Sequence, residues 1–200
     1  MYASVMPVNT KPERMDEFLS LYQSEVIPGL TEESGFSGCV VVSARATNSA
    51  FVIATWDSEA ARKRAVGGNG SAVAAGSLSC LVEDPKPEQF EVLVQAGGRS
   101  AGLCARIITL PVPEEHLAAA LHVYEAEYLP LLKAQAGFLR VMWLANRVRG
   151  TGWGISFWSR HEQMRAADQE GEFFPKVLAR LAAYFSHPPE MGYYVVDVHV

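Results

Sequence analysis

The feature that most constrains this chain is an internal repeat. Tyr22 and Tyr124, Glu25 and Glu127, Pro28 and Pro130, Leu30 and Leu132, Gly35-Phe36 and Gly137-Phe138, Arg45 and Arg147, Ile53 and Ile155, Trp56 and Trp158, and Pro87-Glu88 and Pro189-Glu190 all stand 102 positions apart. Tryptophan occurs four times in 200 residues, and the offset holds from Tyr22 to Glu190 without an insertion, so chance explains it poorly. Self-similarity at a fixed offset marks copies of one structural unit. The expected division is a first unit at 1–96, a connection at 97–102 made of Gly and other small residues, and a second unit at 103–200.

Both copies show the same order of periodicities. In the second, Cys104 to Leu110 reads as a strand, and Pro113-Glu114-Glu115 opens a helix, with acids in the first turn facing its positive end. The helix carries an apolar stripe at Leu117, Leu121, Tyr124, Tyr128 and Leu132, which the first copy repeats as Met15, Leu19, Tyr22, Val26 and Leu30. A Gly-Phe turn follows in each copy. Leu139 to Asn146 and Trp153 to Trp158 read as strands joined by a loop, Arg160 to Ser186 as a second helical segment, and Tyr193 to Val200 as the last strand. The order is βαββαβ, the ferredoxin-like split motif of the α+β class. A strand such as Val141-Met142-Trp143-Leu144 is apolar on both sides, so one sheet face lacks cover within its own unit. The expectation is two tandem ferredoxin-like units forming an intramolecular dimeric α+β barrel, a pseudo-dimer open to further homo-oligomerisation.

Composition narrows the partners. A formal net charge of -5 and no basic run longer than Arg62-Lys63-Arg64 argue against nucleic-acid or membrane-surface binding. The chain opens without a basic region followed by an apolar stretch, so a cytoplasmic location is expected. Cys39, Cys80 and Cys104 are odd in number and widely spaced, which suits buried thiols better than disulfides or zinc ligands. G-x-S-x-G, G-x-x-x-x-G-K-[ST] and G-x-G-x-x-G patterns are absent from the sequence.

The copies differ where chemistry would sit. All five histidines and three of four tryptophans fall in the second, whereas Gly67 to Ser79 of the first is built of small residues where the second has Phe173-Phe174-Pro175. A site is therefore expected in the second copy, between its sheet and helices. Trp143, Trp158, Tyr124 and Tyr128 form an aromatic wall there for a planar ligand, or else a repeated core. Asn146 orients a ligand carbonyl or serves its own turn. His122 stands three residues before Glu125, the spacing of a carboxylate-oriented general base or of a solvated pair. His116 and His122, six apart on a helix, cannot share a metal, and His161, His187 and His199 have no carboxylate or cysteine at metal-ligand spacing, so no metal is expected; Arg45 and Arg147 at equivalent turns bind an anion or are solvated.

The βαββαβ order, the two Gly-Phe turns and the strand-to-helix segment Trp56-Asp57-Ser58-Glu59-Ala60 together resemble the dimeric α+β barrel superfamily, and within it the antibiotic biosynthesis monooxygenase-like group. The resemblance spans both halves. It implies a cofactor-free oxygenase that takes an aromatic or polyketide-like small molecule, with a base such as His122 removing a proton before the substrate reacts with oxygen. It also admits a non-catalytic binding or stress-related barrel protein. The haem-degrading members, by the same resemblance, carry an asparagine in the first strand, and Tyr2 to Val8 and Cys104 to Leu110 contain none.

Overall fold

The structure, a computed structural model, describes residues 1–67, 75–169 and 178–200. The glycine-rich residues 68–74 and the residues 170–177, including Phe173-Phe174-Pro175, lie outside the described residues. Two compact units divide the chain: Met1–Glu91 with Val195–Val200, and Val92–Tyr194.

Unit 1 begins with strand β1 (Tyr2–Asn9), one residue longer than read from the sequence, and its added Asn9 is exposed. Helix α1 (Met15–Leu21) runs through a wide turn at Tyr22–Val26 into α2 (Ile27–Glu32). Strands β2 (Phe36–Ala44) and β3 (Ser49–Trp56), helices α3 (Glu59–Gly67) and α4 (Ala75–Leu78), and the start of β4 (Glu88–Gly97) follow. β1 pairs antiparallel with both β3 and β4, and β2 pairs antiparallel with β3. Residues 195–199, which end strand β8 (Met191–His199), pair antiparallel with β2 on its other side.

Unit 2 repeats the plan with β5 (Cys104–Thr109), α5 (Glu114–Val123), a wide turn at Tyr124–Tyr128, α6 (Leu129–Lys133), β6 (Phe138–Asn146), β7 (Thr151–Trp158) and α7 (His161–Gln169). Its strands lie in the order β8, β5, β7, β6, β4, the counterpart of β4, β1, β3, β2, β8 in unit 1. The fold is α+β, with the ferredoxin-like βαββαβ order in each copy. Connecting residues 97–102 are bound into unit 2: Gly98 donates to Leu139 O at 2.9 Å, and Ala101 is buried.

The wide turns have a visible cause. Leu129 N–H bonds the carbonyl of Tyr124, five residues back, and Ile27 N–H does the same to Tyr22. Each is followed at once by proline, Pro130 or Pro28, which has no N–H and whose ring would strike the carbonyl four residues earlier in a regular helix. Widening the turn by one residue relieves that clash. The stripe residues Met15, Leu19, Tyr22, Val26 and Leu30 all stay buried in unit 1, and Leu117, Tyr124, Tyr128 and Leu132 in unit 2.

The Gly-Phe turns are equally constrained. Gly35 has φ +87° and Gly137 φ +79°, a left-handed region that side chains disfavour. A Cβ on Gly35 would also lie 2.6 Å from Ala61 Cβ. These turns let Asp57 N–H reach Gly35 O, and Ser159 N–H reach Gly137 O, both at 2.8 Å, fixing the strand-to-helix corner in each copy. In unit 1 Ser58 then accepts from Ala61 N–H at 3.2 Å and caps α3.

Candidate functional site

Alternation along the strands of unit 2 sends Cys104, Arg106, Ile108 and Leu110, then Val141, Trp143 and Ala145, and then Gly154, Ser156 and Trp158 to the face covered by helices. Between that face and the helix stripe lies a cavity lined by Ile108, Leu110, Tyr124, Tyr128, Val141, Gly154, Ser156, Leu178 and Leu181. Its volume is about 20 Å³, room for a water-sized group. The lining is apolar, aliphatic side chains and two tyrosine rings, apart from the hydroxyls of Tyr124, Tyr128 and Ser156.

Arg106 organises the polar end. It is fully buried, on a strand otherwise apolar up to Thr109 at its end, and a guanidinium taken out of water needs compensation. Nη1 pairs with Asp168 Oδ1 of α7, and Nη2 donates to Tyr128 Oη at 3.1 Å. Asp168 Oδ2 in turn accepts from Tyr193 Oη at 2.7 Å. The Arg106 guanidinium also lies 5.6 Å from the centre of the Trp158 ring, and Arg165 lies 3.5 Å from that of Tyr193. Trp158 Nε1 donates to Ser156 Oγ at 3.0 Å.

The charges act on the phenols unequally. Burial pushes the Tyr124 hydroxyl well above the usual phenol range, neighbouring Tyr128 adds to the rise, and Arg106 opposes it. Tyr128 is raised by burial, held back by Arg106 and raised again by Asp168. Burial and the bond to Asp168 raise Tyr193. Tyr124 Oη is buried without a hydrogen-bond partner among the described residues.

The aromatic residues expected from the sequence are brought together. Tyr124 stacks 4.8 Å from Tyr128 and meets Trp143 edge-on at 4.6 Å, centre to centre. Tyr124 and Tyr128 line the cavity; Trp143 and Trp158 are wholly buried behind its wall. Asn146 is not among the lining residues, and its Oδ1 accepts from Arg149 N–H at 3.1 Å, the turn-serving role. His122 also departs from the general-base reading, because it is exposed on α5 and does not line the cavity. Its place off the apolar stripe turns it to water. Arg45 is paired with Asp16 and Asp197 at 3.0 and 2.9 Å, and Arg147 with Glu114 at 2.8 Å, so these turn arginines hold carboxylates of the chain itself.

Sequence reasoning missed Arg106, Asp168, Tyr193 and Ser156. One signal was available, a charge in the middle of the apolar run Cys104 to Leu110. Burial raises the Cys39 thiol to about 12 and the Cys104 thiol to about 11, so neither supplies a thiolate near neutral pH. Among the described residues no group of three or more His, Cys, Asp or Glu side chains is placed to hold a metal ion, and no helix is long and apolar enough to cross a membrane.

The βαββαβ order, present twice, defines an α+β protein of the ferredoxin-like kind. Residues 1–70 match the family model described as antibiotic biosynthesis monooxygenase. Among solved structures, a Lactobacillus acidophilus protein provisionally assigned as a monooxygenase is similar over 100% of this chain and 95% of its own, at 10% identity and a TM-score of 0.78. A Fusobacterium nucleatum protein with the same provisional assignment is similar over 99% of this chain and 93% of its own, at 10% identity and a TM-score of 0.77. An anthrone oxidase-like protein is similar over 100% of this chain and 92% of its own, at 14% identity and a TM-score of 0.72. At such identities the likeness is one of fold. No curated protein matches the sequence. The chain is thus similar to that family over residues 1–70 and shares its fold with these structures over nearly its whole length.

Proposed function

We propose that the protein is a cofactor-free oxygenase of a small aromatic or polyketide-like substrate, which binds in unit 2 at the cavity lined by Tyr124 and Tyr128, with Trp143 and Trp158 buried behind its wall. The observation that supports this reading is the Tyr124 hydroxyl, without a hydrogen-bond partner among the described residues, in a mostly apolar cavity beside a Tyr128 hydroxyl held by buried Arg106. An electron-rich phenol or enol that loses its proton becomes a strong enough reductant to pass electrons to dioxygen. Here solvent takes that proton, since His122 is exposed and off the lining. The volume of about 20 Å³ means that an aromatic ring enters only as Leu178 and Leu181 give way. A cytoplasmic enzyme acting without nucleic acid or membrane is part of the same proposal.

The test is to mix the protein with an anthrone in air and follow oxygen uptake. Uptake above the buffer blank, lowered about tenfold in Tyr124→Phe by loss of one hydrogen bond to a charged substrate, is expected. No uptake and no binding would count against the enzyme. The small volume of the cavity favours the second reading, a non-catalytic binding or stress-related protein whose aromatic residues are core. That reading expects binding without oxygen uptake. The haem-degrading alternative expects a Soret shift on haem titration, which a cavity of this size, lined without histidine, does not favour.

A further inference from the structure

The layer between the sheet and α3 of unit 1 buries a positive charge that its neighbours do not answer. Arg62 is 3% exposed, yet its Nε and Nη1 have no hydrogen-bond partner among the described residues. Its third nitrogen, Nη2, lies 3.6 Å from Glu59, an exposed carboxylate that Lys63 holds at 2.8 Å. Trp56, at the end of β3, is buried as well, and its Nε1 is also without a partner among the described residues. Guanidinium and indole N–H groups only donate, so the three nitrogens share one need, an acceptor. They belong to one layer: α3 packs on β1 and β3, and Trp56 joins Ala54, Ala61 and Ala65 in a single buried cluster. Arg62 also interacts electrostatically with Tyr2, which pairs with Trp56 across the sheet.

Unit 2 meets the same need with its own side chains. There Ser156 Oγ accepts from Trp158 Nε1, whereas the residue equivalent to Ser156 in unit 1 is Ala54. The residues equivalent to Arg106 and Tyr128 are Ser4 and Val26, both smaller. Alternation along β1 puts Ser4 on the helix-covered face with Met6 and Val8. Ser4 is partly exposed where Arg106 is fully buried, so solvent reaches this layer of unit 1 at the strand position that unit 2 closes.

We propose that unit 1 contains an anion site, in which the carboxylate of a small organic acid enters beside Ser4 and accepts hydrogen bonds from Arg62 and Trp56. A single negative charge is the matching one, because Arg62 carries one positive charge and Glu59 is already engaged by Lys63. Water accepts the same hydrogen bonds but leaves the buried charge unbalanced, whereas a carboxylate supplies both the acceptor and the charge. The site is separate from the cavity of unit 2 and stands whether or not that cavity takes an oxygenase substrate.

The test is to titrate the full chain, isotope-labelled at its indole nitrogens, with sodium benzoate and with sodium formate near neutral pH and at constant ionic strength. The indole resonance lost in Trp56→Phe belongs to Trp56, and at least one of the two acids should move it saturably; formate covers a space too small for a ring. Benzamide, which has the shape of benzoate without its charge, should leave the resonance in place. Arg62→Met, which gives unit 1 the residue that unit 2 has there, should weaken binding about tenfold, whereas Tyr124→Phe in unit 2 should bind as the unaltered chain does. The proposal is overturned if neither acid moves the Trp56 resonance, if benzamide moves it as far as benzoate does, or if folded Arg62→Met binds undiminished. Binding lost in Tyr124→Phe and kept in Arg62→Met would place the acid in unit 2 and overturn it equally.

Discussion

The two units place a guanidinium in the same layer, between the first strand and the second helix, but supply it from opposite sides. In unit 2 Arg106 comes from β5 and faces α7, where position 164 is Met. In unit 1 the strand position equivalent to Arg106 is Ser4, and the helix position equivalent to Met164 is Arg62. Only unit 2 completes the arrangement. Arg106 has Asp168, Tyr128 and, through Asp168, Tyr193, whereas the positions equivalent to Asp168 and Tyr128 in unit 1 are Val66 and Val26. Arg62 is buried with Nε and Nη1 lacking hydrogen-bond partners among the described residues, and its nearest carboxylate, Glu59, lies 3.6 Å away and is shared with Lys63. Burial accordingly lowers its affinity for a proton. The two units share the stripe, the Gly-Phe corner and the wide helical turn, while the polar contents of one layer differ. The half that matches the family model is the one without the buried tyrosine–arginine–aspartate network.

That contrast can be broken most forcefully at the ion pair. Arg106→Met takes from buried Asp168 its ion-pair partner and is expected to destabilise the protein by about 3–5 kcal/mol, read from urea denaturation. Adding Asp168→Leu should recover most of the loss; a double variant as unstable as the single would mean that the network does more than neutralise charge. Next in size is the tyrosine comparison, in which Tyr124→Phe costs about tenfold in oxygen uptake with an anthrone and Tyr22→Phe nothing. Equal loss in both would place ligand recognition outside unit 2.

A third test runs the other way. Arg62→Met, which gives unit 1 the residue that unit 2 has there, should raise stability by about 1 kcal/mol, because it removes a poorly compensated buried charge. A loss of stability would show that Arg62 has a role that its contacts do not reveal. The smallest effect expected is on pH dependence. Tyr124 and Tyr128 titrate higher in the fold than the ordinary phenol value of about 10. Their neutral forms therefore favour folding fully below that value, and the contribution is lost as pH rises through their folded values. Stability should be level up to about pH 9 and fall above about pH 10, less steeply in Tyr124→Phe. A fall that begins well below pH 9 would point to other groups.

Much of the framework was legible because it is periodic. The stripe Leu117, Tyr124, Tyr128 and Leu132 declares its helix, and Gly137-Phe138 its corner, by residue types that local geometry demands. The wide turn was hidden, since residues four apart share a face in a regular helix and in a widened one alike; Pro130 was the mark to weigh. The aromatic part of the site was legible for the same reason as the stripe. Its polar part was not, because Arg106 finds Asp168 and Tyr128 across long stretches of chain and no spacing rule joins them. His122 drew attention because histidine is the usual base near neutral pH, yet its place off the stripe already turned it to water.

The Arg106 network also sets how the region opens. One guanidinium joins β5, the wide turn and α7, and through Asp168 it reaches β8, so four distant stretches of chain share a single latch. In hydrogen-exchange terms, backbone amides of α7 and of the turn at Tyr124–Tyr128 should lose protection together, as one cooperative unit, with the equivalent segments of unit 1 exchanging independently of each other. Whatever enters the cavity by displacing its helical wall meets that cooperativity first.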